Sequence, residues 1–372
     1  MGDIMKTVVV GMSGGVDSSV AALLLKQQGY QVIGLFMRNW DSTINNDVLG
    51  NPHLHDFICP QEQDYNDAAS VCAKLKIKLQ RVDFVKEYWD YVFTYFLTEL
   101  KKGRTPNPDI MCNKYIKFDL FIKEAKRLGA DFVATGHYAR LVDGKLYRAL
   151  DKNKDQTYFL SQLSKKQLQD VLFPIGDLTK QEVRRFAAEN NLITATKKGS
   201  TGICFIGERK FTNFLRNYLP IKPGPIVNLT TKETIGKHQG LMNYTIGQRR
   251  GLNVGGQQEK LFVVGKDLKQ NILYVALGDK NEFLYSDAAI IENVNWLGNH
   301  KPKQCLAQFR YRQSPQAVTL EYLTNDTIKV LYPQKIKAVT PGQACVFYAE
   351  DECLGGGIIK EALFNNQRRH FL

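Results

Sequence analysis

The sequence predicts an α/β protein in which a doubly wound parallel sheet is followed by smaller, β-rich domains. Strands alternate with amphipathic helices in the first half of the chain. A run rich in glycine and serine directly follows the first strand, and short alternating segments dominate after about Gly207. Alternating strands and helices favour a parallel sheet, whereas closely spaced short strands favour a small antiparallel barrel or sandwich.

The elements of the first half follow from hydrophobic periodicity and from the glycines between the apolar runs. We expect strands at Lys6–Val10, Tyr30–Met37, Lys78–Phe84 and Asp131–Thr135, and helices at Asp17–Gln28, Glu62–Lys76, Tyr88–Lys101 and Tyr115–Leu128. Ligands of open α/β sheets bind at the carboxyl ends of the strands. The segments GMSGGVDSS and ATGHYAR, which lie at two such ends, are therefore candidate ligand-binding segments.

The second half lacks this alternation. Residues 219–256 are rich in Gly, Pro, Thr and Asn. Short strands are then expected at Ala288–Val294, Cys305–Tyr311, Ala317–Leu323, Ile328–Tyr332 and Ala344–Tyr348. We predict three domains: a catalytic α/β domain at 1–209, a small central domain at 210–283 and an all-β barrel at 284–372.

Composition narrows the class of protein. The net charge of +13 arises from 50 Lys and Arg against 37 Asp and Glu, and it favours a polyanionic partner such as nucleic acid. The alternative is a basic protein whose charge only keeps it soluble. No apolar run is long enough for a membrane span, and no secretion signal precedes the first strand, so we expect a cytoplasmic protein without a membrane partner. Seven cysteines without CxxC pairs argue against a disulfide framework.

The stretch Gly11–Ser19 has the composition of a phosphate-binding loop. Small residues between a strand and a helix present backbone N–H groups and a helix N-terminus to an anion. The stretch matches neither the Walker pattern nor GxGxxG. The alternative is a tight turn with Asp17 as the helix cap, but a cap needs one polar residue and not a run of them.

Two cysteines lie in segments suited to chemistry. Cys112 follows Pro106 and Pro108, which we expect to keep the segment out of a helix, and it precedes a helix predicted to begin near Lys114. A helix N-terminus and nearby lysines would lower its thiol pKa, and Asp109 is near enough to exchange a proton. Cys204 lies between glycines that permit a mobile loop. For each cysteine alone, a buried structural role is an equal alternative.

Taken together, six motifs resemble those of the tRNA-specific 2-thiouridylase family, which belongs to the PP-loop ATP-pyrophosphatase superfamily. In chain order these are GMSGGVDSS, NPDIMCN, ATGHYAR, KDQTYFL, STGICFIGER and FRYRQSP. The resemblance implies an adenine nucleotide alpha hydrolase-like first domain that uses ATP and Mg²⁺. It also implies adenylation of the C2 oxygen of the wobble uridine in tRNAs of the Lys, Glu and Gln types, followed by sulfur transfer from a cysteine persulfide, with AMP and pyrophosphate as by-products.

The resemblance also implies residue roles and partners. The ATP-binding residues would be Gly11, Met12, Ser13, Gly14, Gly15, Val16, Asp17, Ser18, Met37 and Gly136. Cys112 would be the nucleophile, Cys204 the persulfide carrier and Asp109 an acid or base. Cys112 would either form a disulfide with Cys204 as sulfur is released or act as a nucleophile in its own right. The partners would be tRNA and a sulfur donor, either a cysteine desulfurase or a relay protein, and we expect a monomer.

The same resemblance implies an extended tRNA contact. The target base would meet Asn107, Pro108 and Asp109, and the rest of the tRNA would meet His137, Lys154, Asp155, Gln156, Arg310, Tyr311 and Gln343. Arginine suits phosphate and tyrosine suits base stacking. From the residues alone, Arg310–Arg312 is better explained as part of an alternating strand with solvated arginines.

Two other functions would fit parts of the sequence. An amidating synthetase for a small molecule would use the same loop but need neither cysteine nor tRNA. A nucleotide-gated RNA-binding protein would bind tRNA without catalysis. A zinc site at His53, His55, Cys59 and Cys72 is not expected, because the spacing is irregular and Cys72 falls within a predicted helix.

Overall fold

The structure, a computed structural model, describes residues 5–54, 56, 58–199, 211–256, 259–299 and 301–369. These residues form two compact units. The first unit comprises the described parts of Met1–Phe93, Asp109–Asn217 and Asp351–Cys353, and the second comprises those of Thr94–Pro108, Tyr218–Glu350 and Leu354–Leu372. Thr94–Pro108 thus groups with the C-terminal half of the chain. The three predicted domain boundaries remain a prediction.

The first unit is built on a five-stranded sheet with the order β3-β2-β1-β4-β7. Its strands are β1 (Thr7–Met12), β2 (Gln31–Arg38), β3 (Lys78–Asp83), β4 (Phe132–Ala134) and β7 (Val171–Leu172). All four pairings are parallel. Val8, Val9 and Val10 are fully buried, as expected for a central strand covered on both faces. The predicted doubly wound parallel sheet is confirmed.

Helices and one hairpin complete the first unit. The helices are α1 (Val16–Gln27), α2 (Pro60–Lys74), α3 (Val85–Tyr88), α5 (Pro108–Met111), α6 (Phe121–Arg127), α7 (Thr157–Leu160), α8 (Lys165–Leu168), α9 (Lys180–Glu189) and α10 (Phe211–Leu215). π-helical turns at Trp89–Phe93 and Cys112–Leu120 extend α3 and α5. The strands β5 (Ala139–Val142) and β6 (Lys145–Arg148) form the hairpin.

The strand order creates a switch point beside β1. β1 pairs with β2 on one side and with β4 on the other, so the chain leaves the carboxyl ends of β1 and β4 at the same edge. The glycine-rich loop follows β1, and Gly136 lies just beyond β4. The two segments predicted to lie at strand ends are therefore neighbours at the edge where such sheets bind ligands.

The predicted start of the helix that follows Cys112 is wrong. The helical segment begins at Pro108, so Cys112 lies in its second turn. The first proline, Pro106, stays outside the helix as expected, but Pro108 occupies the first helical position. Proline is favoured there because its missing N–H has no intrahelical partner in any case.

The second unit begins with α4 (Thr94–Lys101) and contains two β structures. Four strands form a sheet in the order β10-β11-β8-β9: β8 (Gly224–Asn228), β9 (Thr234–His238), β10 (Leu261–Asp267) and β11 (Ile272–Leu277). Their core contains Ile226, Val263, Leu273 and Val275, all buried.

The other β structure is a closed barrel. Its strands are β12 (Tyr285–Trp296), β13 (Gln304–Gln308), β14 (Gln316–Tyr322), β15 (Ile328–Lys337), β16 (Ala344–Ala349) and β17 (Glu352–Phe364), with β18 (Gln367–Arg368) paired to β17. β12 pairs with both β15 and β17, which closes the ring β12-β15-β14-β13-β16-β17. The predicted antiparallel barrel is confirmed, although the sequence did not predict its longest strand, β17.

The strand predicted at Cys305–Tyr311 ends early. β13 stops at Gln308, and Arg310 and Tyr311 lie in a turn in which Gln313 N–H donates to Arg310 C=O at 3.0 Å. Arg312 has a positive φ of 66°, which no strand accommodates. The interpretation of Arg310–Arg312 as an alternating strand is therefore wrong.

Among the helices that the described residues form, none is long and apolar enough to cross a membrane.

Candidate functional site

The loop after β1 is folded by its own serines. Ser18 Oγ accepts a hydrogen bond from Ser13 N–H at 3.2 Å and donates one to Gly15 C=O at 3.1 Å. Ser19 Oγ also donates to Gly15 C=O, at 2.8 Å. These bonds fold the loop over the first turn of α1. Gly15 occupies the cap position of α1, so the alternative that Asp17 caps this helix is wrong.

Two glycines permit close backbone approaches at this loop. Gly14 has φ +69°, and a Cβ there would lie 2.2 Å from Asp64 C=O. A Cβ on Gly136 would lie 2.7 Å from Ser18 N and 2.8 Å from Asp17 C. Only glycine therefore lets the end of β4 contact the start of α1. We call the closely packed main chain at Gly14, Gly136 and Ser13–Ser18 the cradle, because a glycine-rich turn of this kind between a strand and a helix can present backbone N–H groups to a phosphate.

Asp17 forms a charged cluster at the base of the loop. Lys180 Nζ, from the first turn of α9, lies 2.6 and 2.8 Å from its two carboxylate oxygens. Tyr138 Oη donates to Asp17 Oδ1 at 2.9 Å. Burial, reinforced by the charge of Asp17, raises the pKa of Tyr138, so this phenol remains a donor. No local pattern indicates Lys180 as a partner of Asp17, because 163 residues separate the two.

Lys197 contacts the loop from another side. Its Nζ donates to Gly14 C=O at 3.0 Å and to Asp64 Oδ1 at 2.7 Å, and it also pairs with Asp67 of α2. Burial opposes the charge on Lys197, but the hydrogen bonds with the two carboxylates raise its pKa. Local sequence assigns no partner to Lys197. The structure makes it a link between the glycine loop and α2.

The remaining predicted nucleotide residue, Met37, lies half-buried near the end of β2 and pairs with Val82 of β3. Its contact with adenine stays a prediction, as do the ATP roles of Gly11, Met12 and Val16. Met12 and Val16 are both buried and belong to the core of this unit.

Cys112 and Asp109 lie three residues apart in one helical segment, a spacing that brings side chains to the same face. Cys112 is buried, with 1% of its surface exposed. The predicted position of Cys112 directly before a helix N-terminus is wrong, because Cys112 lies in the second turn of a helical segment that begins at Pro108. The effect of a helix N-terminus is strongest in the first turn. Burial lowers the pKa of Lys114, whose Nζ donates to Gln162 at 3.4 Å. Cys204 lies outside the described residues, and so does its predicted meeting with Cys112.

His137 is a buried residue. Its Nδ1 lies 2.8 Å from Thr135 Oγ1, and its ring packs against Phe118 and Phe173. Burial, with a smaller effect from the charge of Lys117, lowers the pKa of His137 well below 6.5. The imidazole is therefore neutral at pH 7. The tRNA contact that the resemblance implied for His137 stays a prediction.

The Lys154–Gln156 segment is bound to the strand end that carries Tyr138. Gln156 Oε1 accepts from Tyr138 N–H at 2.9 Å, and Gln156 N–H donates back to Tyr138 C=O at 2.9 Å. Asp155 is buried, and its carboxylate accepts from Ala149 N–H at 3.0 Å. Burial raises the pKa of Asp155. Gln156 and Asp155 thus use their side chains for hydrogen bonds within the chain, and Lys154 is half-buried, with its N–H donating to Asp151 C=O at 3.0 Å.

The other predicted tRNA residues belong to the second unit. Arg310 is exposed on the barrel turn, next to the half-buried Tyr311. Gln343 is half-buried, and its amide donates to Thr105 C=O at 2.7 Å. Asn107 and Pro108 belong to this unit as well. The tRNA roles of these residues stay predictions.

The residues weighed against a zinc site are His53, His55, Cys59 and Cys72, and those that the structure describes lie in different local environments. His53 is exposed and pairs with Asp56 at 2.6 Å. Cys72 is buried in α2, and burial raises its pKa to about 11. His55 lies outside the described residues. Within the described ranges, no group of three His, Cys, Asp or Glu side chains is arranged to hold a metal ion.

The parallel sheet, the main-chain cradle after β1 and Gly136 at the switch point together define a nucleotide-binding α/β domain. Family models match the chain in three consecutive segments. Residues 6–208 match a model described as tRNA methyl transferase HUP domain. Residues 212–277 match a tRNA methyl transferase PRC-barrel domain, and residues 286–359 match an aminomethyltransferase beta-barrel domain.

Relatives named tRNA-specific 2-thiouridylase match over nearly the whole length. The protein of Mycoplasmopsis synoviae is 58% identical over 99% of this chain and 99% of its own. That of Mycoplasmopsis pulmonis is 54% identical over 99% and 100%, and that of Bacillus cytotoxicus is 55% identical over 98% and 97%. The chain belongs to the tRNA-specific 2-thiouridylase family.

Solved structures give only distant likenesses. An NMN synthetase from Francisella tularensis is 15% identical, with a TM-score of 0.32 over 53% of this chain and 67% of that chain. A 4-thiouridine synthetase–RNA complex with bound ATP is 13% identical, with a TM-score of 0.33 over 52% and 43%.

Proposed function

We propose that this chain catalyses ATP-dependent replacement of the C2 oxygen of the wobble uridine in tRNA by sulfur. One observation carries the proposal: the cradle of Gly14, Gly136 and the serine-folded loop occurs in a chain that matches 2-thiouridylases from end to end. The tRNAs expected as substrates are the Lys, Glu and Gln types. The products are 2-thiouridine, AMP and pyrophosphate.

The first step activates a poor leaving group. Uracil O2 attacks the α-phosphorus of ATP, and pyrophosphate leaves with the electron pair of the broken P–O bond. The main-chain N–H groups of the loop and the Ser13 hydroxyl are suited to hold the departing pyrophosphate, and the Ser18 hydroxyl would give up its bond to Gly15 C=O to join them. Lys180, 2.6 Å from Asp17, is a cation near enough to the loop to turn toward a phosphate. This role rests on its geometry and charge.

Mg²⁺ is expected with the nucleotide. A carboxylate suits this ion, and Asp17 is the carboxylate that the loop offers. Its oxygens lie at the base of the cradle, facing Lys180 and Tyr138, and would exchange one of these partners for the ion. When bound, the ion would neutralise charge on the phosphates.

The second step transfers sulfur. The terminal sulfur of a persulfide on Cys204 attacks C2, the C2–S bond forms, and AMP leaves with the electron pair of the C2–O bond. The Cys112 thiolate then attacks Cys204 Sγ. A Cys112–Cys204 disulfide forms while the electron pair of the former S–S bond stays on the sulfur at C2. A thiol reductant returns the disulfide to two thiols, and a sulfur donor protein reloads Cys204.

For the proposed role, the Cys112 thiol must be accessible to a second sulfur atom, and in this structure it is not. Its thiol is buried, so the helical segment that carries it has to open before it meets another sulfur atom. Asp109, on the same helical face, is suited to take the thiol proton. The tRNA contacts proposed for Asn107, Pro108, His137, Lys154–Gln156, Arg310 and Tyr311 would bring the extruded uridine to this segment.

The decisive test is mass spectrometry of tRNA nucleosides after incubation with ATP, Mg²⁺ and a sulfur source. We expect 2-thiouridine from the wild-type protein and none from Cys112→Ser or Cys204→Ser, because each variant lacks a sulfur that the transfer needs. The tRNA affinity of both variants should stay within about two-fold of the wild type, since neither change removes a charge. Cys59→Ser, at an exposed cysteine, is the matched control and should thiolate normally.

Each alternative gives a different result. An amidating synthetase would release AMP without tRNA and would tolerate both cysteine substitutions. An RNA-binding protein without catalysis would retain tRNA and yield no 2-thiouridine in the intact protein. Normal thiolation by either cysteine variant would contradict the role assigned to that thiol.

A further inference from the structure

In the second unit, three consecutive residues, Gly103, Arg104 and Thr105, are fixed by four different parts of the fold. Gly103 C=O accepts from Lys266 Nζ of β10 at 2.7 Å. Thr105 N–H donates to Pro341 C=O at 2.9 Å. Thr105 C=O accepts from the Gln343 amide at 2.7 Å. Both hydrogen-bonding groups of the Thr105 backbone are thereby bound to the segment before β16.

Ion pairs hold the residue in between. Arg104 Nη1 lies 3.0 Å from Glu99 of α4 and 2.7 Å from Glu292 of β12. The Glu99 side chain is 6% exposed and that of Arg104 is 16% exposed. Burial opposes the charge on Arg104, yet its hydrogen bonds with Glu292 and Glu99 leave its pKa raised. The Glu292 side chain is 25% exposed, and Arg104 Nη1 contacts both carboxylates, which restricts where its guanidinium can lie.

A close backbone approach completes the arrangement. Gly342 has φ +91°, and a Cβ there would lie 2.9 Å from both the N and the C of Thr105. Lys266 is 1% exposed, and burial lowers its pKa to about 7. In a surface loop the Gly103 carbonyl would be hydrated by water, whereas here it accepts a hydrogen bond from the buried Lys266 side chain.

The anchored residues lead directly into a stiff segment. Pro106 follows Thr105, and Pro108 follows Asn107. Proline fixes its own φ and restricts the residue before it to extended conformations. Fixing the Thr105 backbone therefore also restricts the position of Asn107, because few free backbone dihedral angles lie between the two residues.

We propose that Lys266 and Gln343 are positioning residues that hold the Gly103–Thr105 backbone and thereby set the placement of Asn107 and Pro108 toward the target uridine. The proposal rests on the function proposed above. Gln343 acts on the chain's own backbone, whereas the family resemblance alone implied a contact with tRNA. Neither side chain takes part in the chemistry.

Steady-state kinetics with tRNA as the varied substrate separates the two roles of Gln343. Gln343→Ala and Gln343→Glu both remove the donor to Thr105. We expect kcat for 2-thiouridine formation to fall about ten-fold with KM for tRNA within two-fold, because a misplaced reactant slows the chemical step. Gln304→Ala, at an exposed glutamine of β13, should match the wild type. A raised KM with unchanged kcat would overturn the proposal and favour a tRNA contact.

Lys266 is tested with and without catalysis. Lys266→Met keeps the apolar stem and removes the donor, and Lys266→Arg keeps a donor. We expect the Met variant to lose kcat as Gln343→Ala does and the Arg variant to regain part of it. Hydrogen exchange on the full chain should show faster exchange of the Thr105 amide in Lys266→Met and Gln343→Ala, and not in Gln304→Ala.

Hydrogen exchange can be measured without catalytic activity, so the proposed function and the proposed positioning role can be contradicted by different results. No 2-thiouridine from the wild type contradicts the proposed function, whatever the exchange shows. A wild type that thiolates, together with unchanged exchange and unchanged kcat in both variants, refutes the positioning role alone.

Discussion

At the scale of single residues, the fold gives chemistry-bearing side chains partners that local sequence does not indicate. Asp17 was a candidate helix cap and is instead a half-buried anion between Lys180 and Tyr138. Lys197 bonds to Gly14 C=O in the loop. Both lysines come from near α9, far along the chain. Residue types and motifs could predict the loop, but the two lysines that contact it could be identified only from the folded structure.

A pH prediction follows for His137. Its pKa in the folded chain lies well below 6.5, so the unfolded chain binds a proton first as pH falls. The free energy of unfolding should therefore decrease as pH drops below about 6.5, with a slope of up to about 1.4 kcal/mol per pH unit. Urea denaturation repeated at several pH values between about 7.5 and 5 measures this slope.

His137→Gln removes the titrating group and should flatten the slope, whereas Gln304→Ala, at an exposed uncharged position, should leave the slope as in the wild type. An equal acid slope in the wild type and in His137→Gln would rule out His137 as its source.

At the scale of elements, hydrophobic periodicity predicted which helices and strands exist better than it predicted where they begin and end. Strands near β1–β4 and helices near α1, α2, α4 and α6 were anticipated because a buried parallel strand is a continuous apolar run and a helix has a 3.6-residue period. The hairpin strands β5 and β6, the edge strand β7 and the helix α9 were not predicted. The start of a helix at Pro108 and the turn at Arg310 were missed. Proline is compatible with both a loop and a first helical turn, and a turn can follow a strand without a break in the apolar pattern.

The contact between the end of β4 and the start of α1 gives a prediction for Gly136→Ala. The added Cβ would lie 2.7 Å from a backbone atom, so the start of α1 has to shift. We expect ATP affinity to fall about ten-fold or more, equivalent to ~1.4 kcal/mol. Calorimetric titration with ATP measures the change.

Gly298→Ala is the control, because a Cβ at that position meets nothing within 4 Å. Wild-type ATP affinity in Gly136→Ala, with the fold intact, would show that this approach does not shape the nucleotide site.

At the scale of the whole molecule, the charge of +13 was interpreted as a sign of a nucleic-acid partner. Family membership supports that interpretation, and the barrel presents Arg310 on an exposed turn. The sequence could predict the classes of domain because each has its own period. It could not predict that Thr94–Pro108 would pack with residues more than a hundred positions later, since no local pattern encodes such a contact.

A salt-dependence prediction belongs to this scale. The logarithm of the tRNA affinity should fall linearly with the logarithm of salt concentration, because each neutralised phosphate releases counterions. Arg310→Ala should reduce the magnitude of that slope by about 1. Filter binding across a salt series measures it. Lys269→Ala, which removes the same charge from an exposed turn of the second unit, should leave the slope unchanged. Equal slopes for Arg310→Ala and the wild type would argue against a phosphate contact.

The grouping of Thr94–Pro108 with the C-terminal half has a consequence for biosynthesis. A ribosome delivers this helix-and-loop segment long before it makes β10, β12 and the Pro341–Gln343 stretch that bind it. Until translation is almost finished, the nascent chain lacks the residues that bind Gly103–Thr105, and contacts so distant in sequence form slowly. A prematurely terminated polypeptide would leave that helix without its partners, which makes unfinished copies of this protein natural targets for proteolysis.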